Sequence, residues 1–389
     1  PMLVPVIGAL LILIIDIFKG GLDKTLYVSI ALLFLFIDFS VVMAASETFA
    51  IDGTIMGVFD MMLIDGLAVL AQLIIVGGSI LFLPLALSGK KFHESSYPEF
   101  FALFLFMISG LQFMVATDSL ILIFVGLETS SLAVYALIAM HNRDKSFEAA
   151  VKYFTMGALA AGLYSFGAMV FYALTGSVEI NQIASVLGAN GYVDMGYVLV
   201  GTAFLLAAFS FKIGLIPFHT WTPDVYEGSS AAMAGFMSIV PKIAVFVVSM
   251  RIFEFLIHSG VIWLEIVRYI IVVLTMTMAN IWALVQNDVK RMLAYSSISH
   301  GGFVMAAILI GTTQSNTALF LYWILFSISN LGAFGMLWMS REKDLIPGAT
   351  TDHPYERFAG MIKTSPIAAI LMGLFMLSLA GLPPFALFW

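Results

Sequence analysis

Lys212, Lys242 and Glu128 are charged residues set in stretches that are otherwise apolar. Lys212 lies in Ala207-Ala208-Phe209-Ser210-Phe211-Lys212-Ile213-Gly214, and Lys242 follows Pro241 in Met237-Ser238-Ile239-Val240-Pro241-Lys242-Ile243-Ala244. Glu128 lies in Phe124-Val125-Gly126-Leu127-Glu128-Thr129-Ser130-Ser131. A lysine at the centre of a membrane helix costs about 2.5–3.5 kcal/mol, too much to be incidental, and such groups hold and pass protons. Pro217 cannot donate to the carbonyl of Ile213, so the chain is expected to open there and leave free carbonyls beside the ammonium. Glu128 is the natural partner of Lys212. The three residues suit a proton relay better than a metal site, which wants more oxygen or imidazole ligands. The plainer alternatives are a snorkelling lysine for Lys212 and a structural polar contact between helices for the other two.

Two histidines also fall in apolar surroundings. His219 follows Pro217-Phe218, and His300 lies in Ser296-Ser297-Ile298-Ser299-His300-Gly301-Gly302. An intramembrane histidine shuttles protons, ligates haem or simply bonds across helices. A place on the proton path is expected for His300 before His219. His93, His141 and His353 read as solvated loop residues. The chain has no cysteine, which excludes disulfides, thiolate-bound clusters, covalent c-type haem and cysteine nucleophiles. Phosphate-binding loops, dinucleotide fingerprints, zinc motifs and catalytic triads are absent from the sequence.

The elements that carry these residues are transmembrane helices. Of 389 residues, 61% are hydrophobic and 11% charged, with a mean hydropathy of +1.04. A soluble domain keeps nearer a quarter of its residues charged. The net charge of −7 is spread along the chain and points to no nucleic-acid partner. Apolar runs long enough to span occur at 1–18, 25–45, 63–87, 98–116, 118–140, 147–175, 194–219, 230–256, 261–286, 290–311, 314–340 and 364–389. The predicted fold is an all-α polytopic bundle of about twelve membrane helices. Strands are not expected, because the runs do not alternate with period two. The polar stretches 46–60, 176–193 and 341–363 are too short for a separate domain. No cleavable signal peptide is visible, and a chain running from Pro1 to Trp389 inside an apolar stretch is expected to be part of a longer one.

Basic residues alternate between loops. Lys19 and Lys24 fall in the first, Lys90 and Lys91 in the third, and Arg143 and Lys145 in the fifth. Lys290 and Arg291 fall in the ninth, and Arg341, Lys343, Arg357 and Lys363 in the eleventh. The second, fourth, sixth and tenth loops have none, and only Arg251 and Arg268 flank the eighth. This pattern puts the odd loops in the cytoplasm and the N-terminus outside. The seventh span contains Gly214-Leu215-Ile216-Pro217-Phe218 and the twelfth Gly381-Leu382-Pro383-Pro384-Phe385, each after a serine (Ser210, Ser378). An odd separation of spans means opposite directions, so inverted five-helix repeats with broken helices 7 and 12 are expected. The corresponding division is helices 1–3 in residues 1–97, a first half in 98–256 and a second half in 257–389.

The run from Ser210 to Gly228, and within it Trp221-Thr222-Pro223-Asp224-Val225-Tyr226-Glu227-Gly228, resembles the antiporter-like membrane subunits of respiratory complex I, in particular the N-type (NADH dehydrogenase subunit 2) family. The resemblance extends to Gly126-Leu127-Glu128, to Glu148-Ala149-Ala150-Val151-Lys152-Tyr153-Phe154, to Asp288 through Ile298, and to Leu379 through Phe385, over most of 118–389. It implies a fold of about fourteen helices, with Glu128 as the charge of helix 5, Lys212 as the lysine of broken helix 7 and Lys242 as the connecting lysine of helix 8. The family's further lysine after the second break lies beyond Trp389. The resemblance also implies proton translocation inside a proton-translocating NADH:quinone oxidoreductase. NADH, FMN, iron–sulfur clusters and quinone would then sit in partner subunits and none in this chain. M-type and K-type membrane neighbours and a peripheral redox arm are the implied partners. A Mrp-type or stand-alone cation/proton antiporter is the competing expectation, and the Trp-Thr-Pro-Asp-Val-Tyr run weighs against it. A di-haem subunit would need paired histidines, for which His219 and His300 are the deep candidates.

Overall fold

The structure, a computed structural model, describes residues 1–19, 23–57, 61–87, 97–189, 195–257, 262–340 and 352–388. With no water to satisfy the backbone inside a bilayer, apolar runs bond internally as helices. In chain order these are α1 (Leu3–Phe18), α2 (Lys24–Asp52), α3 (Gly66–Leu87), α4 (Pro98–Val115), α5 (Leu120–Ala139), α6 (Asp144–Thr175), α7 (Ile180–Ala189) and α8 (Met195–Ile213). They continue as α9 (Trp221–Gly228), α10 (Ala231–Met237), α11 (Val240–Ile257), α12 (Ile262–Leu284), α13 (Val289–Ile310), α14 (Thr313–Ser340), α15 (Met361–Thr364) and α16 (Pro366–Leu379). Ten units among the described residues are long and apolar enough to cross a membrane, with α10 and α11 counted together. The chain is thus an all-α polytopic membrane bundle. The helices in the first and last predicted spans are shorter, at 16 and 14 residues.

Burial ranks the helices. The apolar window of Ala231–Glu254 is 94% buried, against 22% in α2 and 22% around α12. The α10–α11 unit, which carries Lys242, is therefore the axis of the bundle, while α2 and α12 lie at its rim. Among the closest neighbours are α4 against α5, α6 against α8 and α12 against α13. Small residues set the α4–α5 approach, as is common between membrane helices. A Cβ on Gly126 would come within 2.5 Å of the Gly110 carbonyl oxygen, and one on Gly110 within 2.8 Å of the Gly126 carbonyl oxygen.

Several connections differ from the sequence expectation. The stretch 46–60 is not all loop: α2 runs on to Asp52, and β1 (Ile55–Gly57) pairs antiparallel with β2 (Met62–Ile64). The stretch 176–193 holds α7, which buries Ile180, Ile183 and Leu187 along one face. Lys290, counted with the ninth loop, lies in the first turn of α13, 2% exposed, donating to the Ser229 carbonyl at 2.7 Å. His353, expected in solvent, is 1% exposed. Its N–H donates to Asp288 at 2.8 Å, and Val289 N–H donates to its carbonyl at 2.9 Å, so the segment is folded against the start of α13. Lys90, Lys91, His93, Arg341 and Lys343 lie outside the described residues.

Candidate functional site

Lys212 occupies the last turn of α8, where the helix dipole favours a cation. The helix ends there because Gly214 adopts φ 84°, a left-handed conformation that glycine takes without a Cβ penalty. The Gly214 and Leu215 N–H groups donate back to the Ser210 carbonyl at 2.9 and 2.7 Å. The Trp221 indole N–H takes the Phe211 carbonyl at 2.8 Å. The Ser210 and Phe211 carbonyls are therefore taken by the turn and by α9, and the ammonium bonds to neither. The turn closes on itself at Gly214, before Pro217 is reached.

The ammonium crosses instead to α5. Lys212 Nζ donates to Ser131 Oγ at 2.7 Å, and Ser131 Oγ donates to the Leu127 carbonyl at 2.6 Å. Three rings surround it, with Phe211, Tyr135 and Tyr153 centroids at 5.8, 5.9 and 6.0 Å, within cation–π range. Glu128 stands one turn before Ser131 on the same helix and interacts with the Lys212 charge. Its Oε1 is buried and has no hydrogen-bond partner among the described residues. The expected Glu128–Lys212 pairing thus takes a form in which Ser131 holds the ammonium and the carboxylate faces it without contact. The glycine contact between α4 and α5 lies two residues before Glu128 and fixes its depth.

Lys242, on α11, reaches α13 near the end of α8. It is 1% exposed, and its Nζ donates to Ser297 Oγ at 2.8 Å and to the Ser297 carbonyl at 2.9 Å, both in α13. Gly301, one turn later, leaves the space that Ile213 and the Lys242 ammonium share: a Cβ there would stand 3.1 Å from Ile213 Cγ2 and 3.9 Å from Lys242 Nζ. A cavity of about 30 Å³ lies beside Lys212, lined by Ser130, Ser131 and Tyr153 together with apolar groups that include Leu127, Val245 and Pro241, the neighbour of Lys242. That is room for about one water molecule, with polar partners to hold it. His300 lies beyond, with Nδ1 on the Tyr322 hydroxyl and its ring 4.7 Å from Phe326, while the backbone of Leu379 at the end of α16 faces it.

His219 stands apart from this group, stacked on Trp282 with centroids 4.8 Å apart and planes at 9°. His219 and His300 are thus taken up by separate aromatic partners. Among the described residues no cluster of three or more histidine, aspartate or glutamate side chains could hold a metal ion.

The motif after the break is tied down by charge. Arg291 of α13 contacts Asp224 at 2.9 Å and Glu227 at 2.7 Å, Lys152 of α6 contacts Asp224 at 3.2 Å, and Lys145 contacts Glu227 at 3.5 Å. Each such part-exposed pair is worth little alone. As a network they seat α9 between α6 and α13, helped by Ser146 and Lys290, which donate to the Gly228 and Ser229 carbonyls, each at 2.7 Å. Three sequence stretches far apart in the chain thereby meet in one cluster. Ser131 and Ser297 were not among the sequence candidates. Ser131 falls on the face of Glu128 at i,i+3, a spacing that could have flagged it, whereas nothing local marks Ser297 as the acceptor for Lys242. Asp38, also absent from the candidates, carries the same signal as Glu128, a carboxylate within an apolar span.

Residues 117–389 match the family described as NADH:quinone oxidoreductase/Mrp antiporter, transmembrane. The chain is 75% identical over its full length to NADH-quinone oxidoreductase subunit N of Sulfurimonas denitrificans, covering 78% of that protein. It is 58% identical to the subunit N of a Sulfurovum species, covering 100% of this chain and 78% of that one. Among solved structures, a chain of respiratory complex I from Thermus thermophilus superposes with a TM-score of 0.79 at 28% identity, covering 100% of this chain and 80% of that one. A chain of the Mrp complex from a Dietzia species shares the fold, with a TM-score of 0.85 at 20% identity over 100% of this chain and 72% of that one. The chain therefore belongs to the subunit N family, the antiporter-like membrane subunits of NADH:quinone oxidoreductase.

Proposed function

We propose that this chain translocates protons across a bacterial inner membrane through a path formed by Glu128, Lys212, Lys242 and His300. The observation that carries the reading is the burial of two lysines near one interrupted helix, Lys212 in its last turn and Lys242 on α11 close to its end. Each is held by a serine on a neighbouring helix, and the cavity beside Lys212 reaches Pro241. Uncharged partners of this kind hold an ammonium without a fixed ion pair, so the proton is free to leave. A movement that brings Lys212 from Ser131 toward Glu128 stabilises its ammonium, and the reverse movement releases the proton toward the cavity and Lys242. Moving one charge against roughly 100 mV costs about 2.3 kcal/mol. Breaking a buried ion pair costs about 3–5 kcal/mol, so one such change is enough to drive the step.

The driving energy comes from elsewhere in the assembly. NADH, FMN, iron–sulfur clusters and quinone belong in this reading to partner subunits, and M-type and K-type membrane subunits are the neighbours. The N-terminus is periplasmic, with helices 1–3 in residues 1–97 and inverted halves in 98–256 and 257–389. The inverted repeat draws support from matched turns. Gly214 and Gly381 both have positive φ, 84° and 64°. Leu215 N–H donates to the Ser210 carbonyl as Leu382 N–H does to that of Leu377, and Phe218 and Phe385 N–H donate to the carbonyls of Leu215 and Leu382. The fold shared with a Mrp complex chain favours a second reading, cation/proton exchange without redox drive.

Proton uptake and electron transfer measured together in inverted membrane vesicles test the proposal. Lys212→Met is expected to assemble and lose pumping, and wild-type pumping by that variant would overturn the path. Sodium-dependent proton release with no quinone reduction would favour the antiporter reading.

A further inference from the structure

Asp38 lies midway along α2 and is 0% exposed, as is Gln112 of α4. Gln112 Nε2 donates to Asp38 Oδ2 at 2.5 Å. The second oxygen of each group, Asp38 Oδ1 and Gln112 Oε1, is buried and has no hydrogen-bond partner among the described residues. Two acceptors left over in one pair lack a single hydrogen. A proton on the carboxyl supplies it: the acid O–H donates to the amide oxygen while the amide N–H donates to the acid carbonyl, closing a ring of two hydrogen bonds. An ionised carboxylate would instead be left with one donor at the middle of a membrane helix, a cost that buried charges avoid by pairing or by taking up a proton.

Among the described residues no basic side chain forms an ion pair with Asp38. Asp16 of α1 accepts from Tyr27 at 2.8 Å, Glu99 is the charge in the first turn of α4, and α3 has no charged residue. We propose that Asp38 is a second proton-binding site, a carboxylic acid paired with the Gln112 amide within the N-terminal helices and separate from the Lys212–Lys242 path. The pair joins α2 to α4, and α4 in turn carries the glycine contact that sets Glu128. The bound proton serves to close that joint and does not exchange during turnover.

Infrared spectra of the purified complex test the site. Wild type minus Asp38→Asn is expected to leave the carbonyl band of a protonated carboxylic acid, lowered by carbon-13 labelling of aspartate. Loss of a carboxylate band pair in its place would overturn the assignment. If Asp38→Asn does not assemble, the labelled wild-type complex decides, and a spectrum with no protonated aspartate band overturns the proposal. An amide at this position makes the same two hydrogen bonds, so Asp38→Asn is expected to pump within about twofold of wild type. Asp38→Leu strands Gln112 and should lower the amount of assembled subunit severalfold. An assembled Asp38→Asn complex that fails to pump would put Asp38 on the path and overturn its separateness.

Discussion

At the scale of single residues, the site sets two lysines against serine hydroxyls and one carboxylate that faces its lysine without touching it. A purely structural Glu128–Lys212 pair and a proton device respond differently to removal of both charges. If the pair only joined helices, Glu128→Gln with Lys212→Met would be nearly neutral, because neither charge is stranded. For a proton device the double variant still assembles but loses pumping, and electron transfer slows with it. Proton uptake, electron-transfer rate and subunit content of wild type, both singles and the double decide the matter, and wild-type pumping by the double ends the case for the path. Lys242→Arg is expected to assemble and pump weakly, since a guanidinium does not release its proton. Its bulk must also share the gap that Gly301 leaves. Full pumping by that variant would reduce Lys242 to a structural contact with Ser297.

At the scale of elements, two joints position the site, and each makes a prediction. Gly126→Val would press a side chain onto backbone of α4, 2.5 Å from the Gly110 carbonyl oxygen and 2.9 Å from the Met114 nitrogen. Overpacking of this kind costs about 1–3 kcal/mol or more, so the assembled subunit should fall severalfold. Gly162→Ala, which meets nothing within 4 Å, should be neutral; equal behaviour of the two by immunoblot would refute the joint. The second joint is the segment around His353, packed against the first turn of α13. Burial, with Lys290 adding to it, pushes the His353 imidazole down to about 4. The unfolded chain takes up that proton near pH 6.5, so the stability from neutral His353 is full above about 6.5 and is lost as the pH falls toward 4. The melting temperature of the solubilised protein is expected to drop between pH 7 and pH 5, and His353→Gln should remove part of that drop. An unchanged pH profile would show that the imidazole does not titrate with unfolding.

At the scale of the whole molecule, orientation and the inverted halves stand or fall on topology. The chain has no cysteine, so single introduced cysteines report without background. Cysteines at Asn142, Ala50 and Ser185, all exposed, are suitable reporters, whereas Ser146 is buried against Gly228. Asn142 should be labelled only from the cytoplasm and the other two only from the periplasm. Labelling of Asn142 and Ser185 from the same side would remove both the orientation and the inverted repeat.

The sequence by itself determined the bundle and its principal charges. Continuous apolar runs have one stable form in a bilayer, and a lysine or glutamate inside such a run is costly enough to be read without coordinates. Lys212, Lys242 and Glu128 were legible for that reason, and the long motif after Lys212 carried the family. The tertiary structure alone decided which groups meet. Ser131 and Ser297 become acceptors only when α5 and α13 are laid against the two lysines, since their hydroxyls would bond the backbone of any helix equally well. Asp224, Lys152 and Arg291 form one network only because α9 is folded between α6 and α13. His353 reads as loop in a polar stretch and is buried because Asp288 and Val289 bind its backbone. Helix formation depends on local composition, whereas a proton path depends on ångström-scale contacts between residues distant in the chain, and those are set by how the helices pack.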